Sequence, residues 1–185
     1  MATVLVGENS SSQTYVKLKR KDCKEVGIDF ELHNLSSDVS QSEVMDLIRE
    51  LNQDGRIDGI IVQMPVPSHL DEKKILKKIE PSKDVDGLNP YNVGKLWTGG
   101  YDFENDLLSC TPKGIMRLLD YYDIDLEGER AVIINRSDLV GKPLSKLMLD
   151  RNATVTICHS RTRDIQAITK RSDIQQLRDE GEDPR

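Results

Sequence analysis

Apolar residues in the first third of the chain fall into two kinds of stretch: short unbroken runs, and longer segments where they recur every three or four positions. The runs at 3–6 and 60–62 have no alternation, as expected of strands covered on both faces in a parallel sheet. Residues 28–35 alternate and predict a strand between them. The first helical stretch opens at Ser10 to Ser12, which offer N-caps, places Tyr15, Leu18, Cys23 and Val26 along one stripe, and stops at Gly27. The second is capped by Ser40, carries Glu43 at the capping-box position, and repeats Val44, Leu47, Ile48 and Leu51 at helical spacing. Strand, helix, strand, helix, strand under the right-handed crossover rule is a parallel α/β sheet.

The run at 60–62 ends in a polar group. Gln63 interrupts it, and Pro65 and Pro67, which cannot donate to a sheet ladder, stop the strand at about that residue. The carboxyl ends of strands in open α/β sheets are where ligands bind, so Gln63 is a candidate ligand contact. A strand-end residue that only caps backbone groups fits the same pattern.

Further on, 70–79 reads as a short helix and 83–90 is dense in turn formers. The segment to 109 reads as mostly irregular, with Trp97 and the pair Gly99 and Gly100. Thr111 is a predicted N-cap, with Pro112 at the first helical position of a helix running toward Tyr122 that connects two domains. A strand at 131–134, a helix to about 149 and a strand at 154–158 make one βαβ unit, and a further helix follows at 164–172. A third strand is then expected, but 175–185 is strongly polar and reads as a solvated, disordered tail, which leaves a second sheet of two strands. The boundaries that follow are 1–123, including a connecting helix at 111–123, then 128–174, then the tail.

Composition narrows the class. The 185 residues are 37% hydrophobic and 31% charged with a net charge of -6, acidic and basic groups interspersed, so nucleic acid is not an expected partner. Cys23, Cys110 and Cys158 are odd in number and lack ligand spacing, which argues against a disulfide framework or zinc site and for a reducing, cytoplasmic setting. No signal-peptide pattern opens the chain and no membrane span is expected.

Several side chains carry candidate chemistry. Tyr15 and Lys19 are four apart, hence on one helix face, and Lys17, Arg20, Lys21 and Lys24 surround Lys19 with positive charge that favours its use in proton transfer. An ordinary solvated basic face has the same pattern. Asp84 and Asp86 lie in a glycine-containing loop, where a carboxylate either accepts paired N–H donors from a heterocycle or forms Asx turns. The loop after Ile134 has the place of a dinucleotide-binding turn, although Gly141 stands without the other glycines of that fingerprint. Where an NAD-binding chain carries an acidic residue, this one has His159-Ser160-Arg161, and with Arg136 these suit a ribose 2′-phosphate and so NADP. Arg161 and Arg163 as a plain surface pair fit equally. His33, His69 and His159 lack the spacing of a metal site, and none is assigned.

Taken in order, Tyr15-Val-Lys-Leu-Lys19, Glu50-Leu-Asn52, Asp58 through Gln63-Met-Pro65, Asp84-Val-Asp86-Gly87, Cys110-Thr-Pro-Lys-Gly114, Arg136 through Pro143 and His159-Ser-Arg-Thr162 resemble the bifunctional methylenetetrahydrofolate dehydrogenase/cyclohydrolase family. The resemblance covers residues 2 to about 174 and implies an N-terminal folate-binding catalytic domain followed by a Rossmann-like NADP-binding domain. It implies that Lys19 handles the proton in hydrolysis of the methenyl bridge, that Gln63 positions Lys19, that Tyr15 packs on the folate ring, and that Asp86 binds the pterin. It further implies that Arg136, Ser137, Ser160 and Arg161 contact NADP, that the substrates are tetrahydrofolate derivatives, and that the enzyme is a homodimer. Departures from the family pattern are an abrupt start at the first strand, Asn135 in place of glycine, Met64 in place of leucine, and a C-terminal part of the nucleotide domain that does not continue past residue 174. On that reading the chain is truncated and hydrolysis is favoured over oxidation, with a non-catalytic fragment or partner subunit of a full-length homologue as the other possibility.

Overall fold

The structure, a computed structural model, describes residues 1–177. The chain divides into two compact units, the first ending at Asn92, and each has its own three-stranded parallel sheet. The division therefore comes well before the boundary near residue 123 expected from the sequence. The helix expected to connect domains buries Met116 in the apolar cluster of the second unit, among Leu126, Leu144 and Leu147.

The first unit runs β1 (Ala2–Val6), α1 (Ser10–Glu25), β2 (Glu31–Leu35), α2 (Gln41–Gln53), β3 (Ile60–Val62) and α3 (Glu72–Lys78), with strand order β2-β1-β3. All five residues of β1 are buried, which accounts for the unbroken apolar run. By contrast, β2 is only partly buried, so it tolerates Glu31, His33 and Asn34. It also begins three residues later than expected, because Ile28 belongs to the stop of α1: its N–H donates to Cys23 O at 2.8 Å and that of Gly27 to Lys24 O at 3.4 Å, with Gly27 at φ +77°. The N-cap of α1 is Asn9, whose side chain accepts from Ser12 N–H, and Ser10 to Ser12 form the first turn instead of capping it. The buried stripe is Ser12, Val16 and Cys23, while Tyr15, Leu18 and Val26 are 50%, 51% and 70% exposed, a rotation of the expected face. The Ser40/Glu43 capping box forms as expected, and Val44, Ile48 and Leu51 of α2 bury against β1 and β3.

Helix α4 (Pro90–Thr98) spans the division and replaces part of the irregular segment expected there. Its start is an Asn-Pro signal: Asn89 Oδ1 accepts from Tyr91 N–H at 2.8 Å, and Pro90 takes the first position, where its missing donor costs nothing. The second unit continues with α5 (Cys110–Tyr121), β4 (Arg130–Ile134), α6 (Gly141–Asp150), β5 (Thr154–Cys158), α7 (Ile165–Thr169) and β6 (Ile174–Leu177). Helix α5 is capped at Ser109, two residues before the expected Thr111, so Pro112 sits within the first turn. The second sheet has order β5-β4-β6, which corrects the expected two strands and takes 175–177 out of the polar tail. Alternation explains it: Ile174 and Gln176 are partly buried while Gln175 and Leu177 are exposed, so a half-polar segment can pair with β4 along one side of it. Residues 178–185 of the expected tail lie outside the described residues.

Candidate active site

Lys19 and Gln63 are brought together from different elements of the first unit. Ser12, Val16 and Cys23 fix the rotation of α1, and this leaves Lys19 half-buried between exposed Leu18 and Arg20. Its Nζ donates to Gln63 Oε1 at 3.0 Å. Gln63 follows β3, its N–H bonded to Val4 O at 2.9 Å, and its side-chain NH2 donates to Met64 O at 2.9 Å, so the amide oxygen is the atom left to receive the lysine. Ser12, read from sequence only as a possible cap, is 2% exposed and its hydroxyl reaches Met64 O at 3.4 Å, a long contact on the same side of α1. Tyr15 is one turn before Lys19 and half exposed.

Asp86 belongs to the same neighbourhood. Burial pushes its carboxyl above the usual 3.8, Lys19 pulls it back in part, and Asp84 adds a smaller upward push. The two acidic residues of the loop divide their work. Asp84 is 1% exposed and its Oδ2 accepts from Asn89 N–H at 2.7 Å and Asn92 Nδ2 at 2.9 Å. Asp86 is partly open and accepts no hydrogen bond among the described residues. Asp84 is thus spent on the loop itself, through partners five and eight residues on and not through an Asx turn, while Asp86 has no such partner among the described residues. Two clefts of about 610 and 550 Å³ lie on the flank of α1 that carries Lys17, and neither is lined by Lys19, Gln63 or Asp86. The candidate site is the convergence of Lys19, Gln63 and Asp86, and it lies outside both clefts.

In the second unit, the pairing Ile134↔Cys158 brings the ends of β4 and β5 level, so the loops carrying Arg136 and Ser137, and Ser160 and Arg161, leave the same edge of the sheet. All four residues are exposed. The first loop is self-supporting: Asn135 Oδ1 accepts from Ser137 N–H at 2.8 Å, and Ser137 Oγ from Val140 N–H at 3.1 Å. Asn135 is not in the left-handed region and turns its side chain onto its own loop. A Cβ added to Gly141 would lie 2.1 Å from Asn135 O and 2.4 Å from its carbonyl carbon, so this one glycine lets α6 start hard against the loop. The second loop is closed by His159 N–H on Thr162 Oγ1 at 2.9 Å and Arg161 N–H on His159 Nδ1 at 3.1 Å. A helix start cradled against a strand end, with two guanidiniums and a serine hydroxyl nearby in sequence, is a donor set that fits a phosphorylated dinucleotide. Among the described residues, no cluster of His, Cys, Asp and Glu could hold a metal ion and no helix is long and apolar enough to cross a membrane.

Known proteins resemble the chain in sequence and fold. Residues 1–86 match the tetrahydrofolate dehydrogenase/cyclohydrolase catalytic domain, and residues 109–176 match the NAD(P)-binding domain of the same family. The bifunctional protein FolD of Salinibacter ruber is 50% identical over 176 residues, covering 94% of this chain and 58% of its own length. The crystal structure of the bifunctional FolD enzyme from Campylobacter jejuni superposes with a TM-score of 0.90 at 46% identity, over 94% of this chain and 61% of that one. The Trypanosoma brucei methylenetetrahydrofolate dehydrogenase-cyclohydrolase, solved with NADP cofactor and an inhibitor, gives 0.88 at 35% identity, over 95% and 60%. This chain spans about three fifths of the length of the relatives it matches.

Proposed function

Because the chain belongs to the tetrahydrofolate dehydrogenase/cyclohydrolase family, we propose that it oxidises 5,10-methylenetetrahydrofolate with NADP+ and hydrolyses the resulting methenyl cation to 10-formyltetrahydrofolate. The observation that carries the reading is the 3.0 Å hydrogen bond from Lys19 Nζ to Gln63 Oε1, which lifts this lysine out of the solvated basic face around it. In the hydrolysis, a water oxygen bonds to the cationic bridge carbon and gives up both protons in turn, one reaching N5 as the carbon–N5 bond breaks and the other released to solvent as the formyl C=O forms. Lys19, held by Gln63, carries the proton between the oxygen and N5. Asp86 accepts the paired N–H donors of the pterin, and Tyr15, exposed on the same helix, offers its ring to the flat substrate.

NADP+ supplies the hydride acceptor when bound. Arg136, Arg161 and Ser160 are proposed to receive its 2′-phosphate, and Ser137 the neighbouring phosphates, in the loops that Gly141 and the Asn135 turn shape. The weighting of hydrolysis over oxidation drawn from sequence rested on an incomplete nucleotide domain with a two-stranded sheet. The sheet has a third strand, β6, paired to β4, while the chain still spans about three fifths of its relatives' length, so both reactions are proposed with hydrolysis first.

The test is direct. NADPH formation from methylenetetrahydrofolate and hydrolysis of the methenyl bridge are measured on the purified chain and on Lys19→Ala. Hydrolysis lost in Lys19→Ala, with NADP affinity kept, supports the assignment. A wild-type chain inactive in both assays sides with the non-catalytic alternative and sinks the enzyme reading.

A further inference from the structure

We propose that Asp84 is a positioning residue for folate binding: without touching the substrate, its buried carboxylate fixes the loop that presents Asp86. The inference rests on the reading of Asp86 as the pterin contact. A carboxylate that is 1% exposed is an expensive way to shape a turn, since desolvating it costs far more than burying a neutral amide. Here that charge gathers donors from the chain beyond Asp86 back onto Asp84, which precedes it. Asn89 N–H and Asn92 Nδ2 both converge on Asp84 Oδ2, while Gly87 N–H donates to Asp84 O at 3.1 Å. Asp86 is enclosed between these ties.

The ring so formed is fastened to the elements beneath it. Asp84 forms a parallel bridge with Ile60 of β3, the strand that ends at Gln63. Gly59 makes room for the loop, because a Cβ there would stand 2.5 Å from Val85 Cγ2. Just before the loop, Lys83 Nζ donates to Leu51 O, Asn52 O and Asp54 O at 3.2, 2.8 and 2.9 Å, tying it to the end of α2. Just after it, Asn89 Nδ2 donates to Ile79 O at 2.8 Å, tying it to the end of α3. These groups are partnered within the fold, while the carboxylate of Asp86 accepts no hydrogen bond among the described residues. The division assigns binding to Asp86 and its aim to Asp84.

The experiment measures the dissociation constant of tetrahydrofolate by calorimetry on the full chain. It compares wild type, Asp84→Ala, Asp84→Asn, Asn92→Ala, Asp86→Ala and the double variant Asp84→Ala/Asp86→Ala, with KM and kcat of hydrolysis alongside. Asp84→Ala is expected to weaken binding and raise KM about tenfold, the scale of one hydrogen bond to a charged group, with kcat little changed. Asp84→Asn, which keeps an accepting oxygen, recovers most of the loss, and Asn92→Ala gives a smaller loss in the same direction while leaving the charge in place. In the Asp86→Ala background, removing Asp84 adds nothing. Wild-type affinity in Asp84→Ala, or losses that multiply in the double variant, would overturn the proposal while leaving Asp86 its role. Wild-type affinity in Asp86→Ala would overturn the reading of Asp86 and this inference with it.

Discussion

Lys19 and Gln63 stand 44 residues apart in the chain, and the fold closes that distance to a hydrogen bond of 3.0 Å. The lysine comes from the helix that follows the central strand β1, and the glutamine from the end of the strand beside it. Gln63→Ala removes the acceptor and leaves the lysine in place. A hydrogen bond to a charged group contributes about 1.5–3 kcal/mol, so hydrolysis is expected to fall ~10- to 150-fold. Tetrahydrofolate affinity, measured by calorimetry, is expected to change much less. An equal loss of rate and affinity would contradict a positioning role for Gln63.

Substrate binding is expected to have an acid limit, set by Asp86 as the proposed pterin contact. Burial raises its carboxyl above the ordinary 3.8, and a pterin with N–H donors needs the ionised form. Affinity is therefore expected to decline on acidification earlier than an exposed carboxylate would allow, and Asp86→Asn is expected to bind weakly with that limb absent. The sign for folding is opposite to that of a paired carboxylate. The folded chain holds this proton more tightly than the unfolded one, so the contribution is fully present below 3.8 and is lost as pH rises through the raised value. Binding titrations across the acid range, in both proteins, separate the limb from general unfolding.

Arg130 and Asp173 fasten the entry to β6. The guanidinium meets the carboxylate through Nε at 2.9 Å and a terminal nitrogen at 3.0 Å, while Arg130 N–H reaches the same carboxylate at 3.0 Å. This fork lowers the Asp173 carboxyl from 3.8 to about 2. Its contribution is present above 3.8 and is lost as pH falls through about 2. Asp173→Ala is expected to raise amide exchange in 174–177 at neutral pH while the β4 amides stay protected. Unchanged exchange in 174–177 would show that the backbone ladder alone holds this strand.

Gly141→Ala sets a methyl group against backbone atoms that cannot step aside as a side chain can. The cost expected of such overpacking is about 1–3 kcal/mol, with distortion of the loop that begins at Asn135. NADP affinity is expected to fall, and methenyl-bridge hydrolysis, proposed for Lys19 in the first unit, to persist. Isothermal titration with NADP beside the hydrolysis assay reads both.

Legibility in the sequence followed the strength of the local signals. The apolar run 60–62 and the Ser40/Glu43 pair were readable because burial on both faces and a reciprocal cap each leave a distinct pattern. The buried stripe of α1 was not, because its members include Ser12 while larger apolar side chains such as Leu18 face outward. Strand β6 escaped notice because a strand at the side of its sheet needs only every second residue apolar, and Ile174 alone meets that requirement strongly. For the site, four-residue spacing placed Tyr15 and Lys19 on one face, but nothing local in sequence distinguishes the buried Asp84 from the open Asp86. That difference arises from Asn89 and Asn92, whose reach back to Asp84 only the folded loop reveals.

Each unit has its own apolar cluster, drawn from residues 2–79 in the first and 96–153 in the second, with no side chain common to both. The single tryptophan, Trp97, falls after the division at Asn92. Intrinsic tryptophan fluorescence consequently originates in the second unit, and a fluorophore placed among residues 1–92, or amide exchange there, follows Lys19, Gln63 and Asp84 directly.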